Sequence, residues 1–107
     1  MALAKQSIDH LARVLEIAEA LAAHGITLFD HDYNYLAFGS FSITFGDGHR
    51  RVQCQWDGKE SLLSIRFADL MNQSSVAKWT HDADISLPNG VGIYEEIASN
   101  VQDMIRN

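Results

Sequence analysis

The chain has 107 residues, of which 47% are apolar and 21% charged, and its net charge is −6. That length suits one domain spanning residues 1–107, with a core large enough to stand without disulfides or a structural metal. The acidity argues against nucleic acid as a partner, the lone Cys54 excludes an intrachain disulfide, and no apolar run approaches the length of a membrane span.

Leu3 to Ala23 carries helical periodicity. The expected buried stripe is Ala4, Ile8, Leu11, Leu15, Ala18 and Ala22, widened by Ala12, Val14 and Leu21. His10 and His24 are placed on or beside the exposed side. Asp9, Glu16 and Glu19 break the stretch, which fits neither a secretory signal nor a transit peptide, so a cytoplasmic location is expected. Gly25 after His24 is a helix stop.

Ile26 to Phe29 is β-prone, and Asp30-His31-Asp32 is expected to end it as a turn. A strand then starts near Tyr35 and changes face through a bulge at Gly39-Ser40. From Phe41 to Phe67, three alternating segments are separated by Asp47-Gly48 and Asp57-Gly58. Read as two-residue type I′ hairpins, these pairs set Ile43 opposite Val52, Phe41 opposite Cys54, Val52 opposite Leu63 and Trp56 opposite Gly39. One face then carries Phe41, Ile43, Phe45, Val52, Cys54, Trp56, Leu63, Ile65 and Phe67. The other carries Ser40, Ser42, Thr44, Arg51, Gln53, Gln55, Ser64 and Arg66.

Residues 68–90 are ambiguous between helical turns (Ala68, Met71, Val76, Trp79) and short strands at Val76 to Thr80 and Ile85 to Leu87. After Pro88-Asn89-Gly90, the residues Ile93, Ile97, Val101, Met104 and Ile105 line a second helix, with Glu95 and Glu96 in its first turn. The expected fold is α+β: an N-terminal helix, a three- to four-stranded antiparallel meander and a C-terminal helix, both helices packed on one face of the sheet.

The order α-β-β-β-α is shared with the double-stranded-RNA-binding domain, and Gly46-Asp47-Gly48-His49 places a histidine after the first hairpin as that family does. That family's last helix opens on a phosphate-gripping lysine cluster; here it opens on Ile93-Tyr94-Glu95-Glu96. RNA binding is not expected. Cys54 reads as a small buried hydrophobe. Asn89-Gly90-Val91-Gly92 lacks the ending of a phosphate-binding loop.

Charge is uneven: residues 1–45 carry −3, residues 46–67 carry +1 and residues 68–107 carry −4. The polar sheet face is therefore the least acidic surface. Arg51, Gln53, Gln55 and Arg66, with Trp79 as an apolar anchor, are the expected contacts for a protein partner or a homodimer. The favoured function is a non-enzymatic, protein-binding accessory module resembling inhibitors, immunity proteins or chaperones in bulk properties, with no cofactor. The alternative is a ligand- or metal-binding, hydrolytic protein in which Asp30-His31-Asp32 and His81-Asp82-Ala83-Asp84 are converging loops. Its metal ligands would be His31, Asp32, His81 and Asp84.

Overall fold

A computed structural model describes residues 5–34, 39–69 and 79–106. Helix α1 (Lys5–Ala22) leads into five strands: β1 (Thr27–Asn34), β2 (Ser40–Gly46), β3 (Arg50–Asp57), β4 (Leu62–Asp69) and β5 (Thr80–Ser86). A short 3₁₀ turn (Pro88–Gly90) precedes helix α2 (Ile93–Arg106). The strands form one antiparallel sheet in the order β1-β2-β3-β4-β5. The α+β class therefore holds, with five strands in place of the expected three or four.

Both extra strands come from the acid–histidine stretches. Asp30-His31-Asp32 lies inside β1, and His81 to Asp84 lies inside β5. Each strand contains one bulge, at Phe29 in β1 and at Asp82 in β5. Beyond the β1 bulge, His31 pairs with Ile43 and Tyr33 with Phe41, so both face the core while Asp30 and Asp32 face outward. These residues are strand members and not turn caps. The segment around Tyr35 and the residues Met71 and Val76 lie outside the described residues; Ser40 onward forms β2.

The two Asp-Gly pairs do make hairpins, but not as type I′ centres. Ile43 pairs with Cys54, Phe41 with Trp56, and Val52 with both Phe45 and Phe67. The reason is visible in both turns. The Asp47 carboxylate accepts the amides of His49 and Arg50 at 2.7 and 2.8 Å, and the Asp57 carboxylate accepts those of Lys59 and Glu60 at 3.0 and 3.2 Å. Each aspartate thus sits at the first turn position, held by its own side chain, and the loop lies further along the chain. The first register moves by two residues and the second by four. Both shifts are even, so every side chain keeps its expected face.

The inner face is closed by both helices in one cluster. Ile43, Phe45, Val52, Cys54, Leu63 and Ile65 are fully buried beneath Val14, Ile17 and Leu21 of α1 and Ile93, Ile97 and Val101 of α2. Helix α1 ends as expected. Gly25 takes φ +78°, and the Ile26 amide reaches back to the Leu21 carbonyl at 3.1 Å while both side chains are buried. Arg50 donates to the Met104 carbonyl at 2.9 Å, satisfying the end of α2.

The buried stripe of α1 differs from the one its periodicity suggests. His10, Val14, Ile17 and Leu21 face the sheet, while Ile8, Leu11 and Leu15 are exposed. We predict that Ile65→Ala costs about 2–5 kcal/mol in urea unfolding, whereas Leu15→Ala changes stability by about 0.5 kcal/mol or less. Comparable losses at the two positions would contradict the observed face of α1.

Candidate functional site

The outer face of the sheet is polar and follows the register. One row runs Asp30, Thr44, Gln53, Arg66, His81; the next runs Asp32, Ser42, Gln55, Ser64, Asp84. Gln53 and Gln55 are half-buried in its middle and Arg66 is exposed. Arg51 is committed internally. Its guanidinium folds over Gly46, donates to the Asp47 and Arg50 carbonyls, and stacks 3.7 Å from the centre of the Phe29 ring. A Cβ at Gly46 would lie 2.3 Å from the Arg50 carbonyl oxygen, so glycine is what permits this close approach. Trp79 stands immediately before β5 and is exposed.

The acid–histidine stretches occupy opposite edges of the sheet. Four strand spacings, about 19 Å, separate them. His31 points to the core and its neighbour Asp32 to solvent. On β5, His81 and Asp84 do meet: the imidazole Nε2 lies 2.9 Å from the carboxylate oxygen, which also accepts from Ser64 at 2.7 Å. These bonds hold the Asp84 carboxyl below the usual carboxylate range. The pair is exposed on the surface. Among the described residues no group of three or more His, Cys, Asp or Glu is arranged to hold a metal ion.

A hydrogen-bonded chain that the sequence did not suggest lies beneath α1. His10 is 2% exposed. Its Nδ1 lies 2.8 Å from the Tyr94 hydroxyl, and its Nε2 lies 2.8 Å from Nε2 of His31. One proton must sit between the two facing nitrogens, so at least one ring is neutral. If Tyr94 donates to His10, then His10 donates to His31; reversing the first bond reverses the second. Tyr33 stacks on His10 with ring centroids 4.1 Å apart, and Phe41 packs tilted against it at 4.5 Å. Burial, with the positive charge of a protonated His31 adding to it, pushes the His10 pKa down to about 4. Burial also raises the Tyr94 hydroxyl. The Arg13 guanidinium lies 5.3 Å from the Tyr94 ring centre and pairs with Glu95 at 2.6 Å. Cys54, buried on the inner face, has its thiol pushed up to about 12, which makes it a core side chain and not a nucleophile.

Helix α1 therefore has two apolar stripes, roughly 120° apart at 3.6 residues per turn. The first is buried. Ile8, Leu11 and Leu15 form the second and are 51%, 47% and 58% exposed. Arg13, Glu16 and Ala20 lie on the side that borders α2, where a cleft of about 210 Å³ separates the helices. The exposed stripe is turned away from α2. Because α1 packs on β1 while α2 packs on β3 and β4, the stripe faces outward on the β1 side of the molecule.

His10 links acidity to stability. Its pKa is about 4 in the folded chain against an ordinary 6.5, so the unfolded state binds the extra proton between those values. Stability contributed here is fully present above pH 6.5 and lost as pH falls toward 4. We predict a loss of about 3 kcal/mol across that window in urea titrations. His10→Gln should flatten the window; an unchanged slope in that variant would assign the proton uptake elsewhere.

No protein-family model, curated protein or solved structure matches this chain, and its own geometry is what bears on its function.

Proposed function

We propose that this chain is a non-enzymatic, protein-binding accessory module of the inhibitor, immunity-protein or chaperone type, and that its partner docks on the exposed stripe of α1. The observation that carries the reading is Ile8, Leu11 and Leu15, three large aliphatic side chains on one helix face, each about half exposed. Isolated surface apolar residues need no explanation, but a contiguous row rimmed by charge marks an interaction surface. Glu19, one turn beyond Leu15 on the same side of the helix, is exposed and supplies charge beside the row.

The polar sheet face plays a secondary part in this reading. Arg66, Gln53 and Gln55 remain accessible as rim contacts, and Trp79 as an anchor beside β5. Arg51 contributes by holding the outer surface together, since its donors are directed to Asp47 and Arg50. The metal-dependent alternative receives no comparable support, because His31 and Asp32 face opposite sides of the sheet and His81 with Asp84 lies at the far edge.

The experiment compares the immobilised chain with a Leu11→Asp, Leu15→Asp double variant as baits in an extract of the producing cell, with retained proteins quantified by mass spectrometry. Exposed substitutions of this kind shift stability by only about 0.5 kcal/mol, which circular dichroism verifies. The expected result is a protein retained by the parent chain and reduced at least tenfold on the variant, equivalent to about 1.4 kcal/mol or more of binding energy. Equal retention on both would overturn the reading.

A further inference from the structure

We infer that the flank formed by the β1 edge and the exposed α1 stripe is built to receive one extended segment of a partner protein, in which apolar residues alternate with basic ones. This rests on the proposed protein-binding role and names the chemistry of the partner.

Three observations converge on that occupant. First, among the described residues β1 pairs only with β2, leaving its other edge at the margin of the sheet. Second, the exposed stripe lies on the side of α1 turned away from α2. Ile8 and Leu11 flank His10 along the helix, and His10 meets the inward-facing His31 of β1, so the stripe lies level with the straight part of the strand. One more strand beside β1 would bring its inner face alongside Leu11, which is turned about 90° from the buried stripe at 3.6 residues per turn. Its inward side chains would have to be apolar. Third, the outward residues of β1 beyond the bulge include Asp30 and Asp32, both exposed. A neighbouring strand places its outward side chains about 5 Å from these carboxylates, where opposite charges stabilise and like charges do not. Its outward side chains should therefore be lysine or arginine.

The same geometry argues against a second copy of this chain. Pairing β1 with β1 about a twofold axis would set four aspartates together on the outer face, on a chain whose net charge is already −6. The Phe29 bulge further restricts pairing to the part of β1 beyond it, from Asp30 onward. A helical partner would satisfy the stripe alone and leave the aspartates unused.

The test uses a short fluorescein-labelled peptide of alternating valine and lysine, read by anisotropy, with backbone amide exchange of residues 27–34 as a second readout. Control peptides are the block arrangement of the same composition, an alternating valine–glutamate peptide and an amphipathic helical peptide. The expected result is saturable binding of the alternating basic peptide, slowed amide exchange in β1, and at least tenfold weaker binding by Asp30→Lys, Asp32→Lys and by Leu11→Asp, Leu15→Asp. Equal binding of the block peptide would reduce the effect to bulk charge and overturn the inference. If the helical peptide binds in a stripe-dependent, aspartate-independent manner, the strand inference falls while the protein-binding role stands. Concentration-dependent dimerisation that consumes the β1 amides would replace the basic strand with a second copy and also overturn it.

Discussion

The hydrogen-bonded chain Tyr94–His10–His31 decides how α1 sits on the sheet. The helix offers two apolar stripes, and aliphatic packing alone discriminates poorly between them. Turning Ile8, Leu11 and Leu15 inward would carry His10 into water and leave the inner-facing His31 and the Tyr94 hydroxyl without the ring that joins them. A buried polar group stripped of its partner costs about 1–3 kcal/mol. The observed rotation satisfies both ring nitrogens of His10 and adds two aromatic contacts, with Tyr33 and Phe41. The chain ties α1, β1 and α2 together at a single point.

The exposed stripe follows from that choice. With His10 inside, Ile8, Leu11 and Leu15 are turned about 120° from the sheet-facing side and stay exposed on the side of β1, an edge strand among the described residues. The exposed apolar stripe and the acidic strand edge are thus two parts of one flank. Both edge strands carry a bulge and outward carboxylates, the devices by which sheets resist pairing with copies of themselves. Among the described residues, the β1 edge combines them with an exposed apolar helix face.

Much of the sheet was legible because side-chain alternation is robust. Every core position from Phe41 to Phe67 could be read, since any even register shift preserves the faces. The turn positions could not, because Asp-Gly serves equally as a type I′ centre or as a turn entry capped by the aspartate, and the Asp47 and Asp57 carboxylates chose the second. The start of β1 was read as β-prone, but its part beyond Phe29 was hidden by composition. Asp30-His31-Asp32-Tyr33-Asn34 does alternate, yet its inward members are a histidine and a tyrosine, which apolar pattern counting does not reward. In β5 the inward members Ala83 and Ile85 are apolar, but the Asp82 bulge breaks their alternation with His81. In α1 the two stripes carry three large aliphatic residues each, and the one containing His10 is the one buried. The partners of His10 lie 21 and 84 residues away in the chain, beyond the reach of any local pattern. The relative placement of the two histidine stretches was equally out of reach: adjacent residues of a strand point to opposite faces, and topology put the stretches at opposite edges.

The central claim is the rotation of α1, and thiol labelling tests it most directly. Cys54 is buried with its thiol pushed up to about 12, so it stays silent in the folded protein. Val14→Cys and Leu15→Cys then report adjacent positions on the inner and outer faces of the helix. At neutral pH the account predicts rapid labelling at position 15 and strong protection at position 14. Protection at position 15 with rapid labelling at position 14 would mean that the other stripe faces the sheet, and would contradict the role assigned to His10.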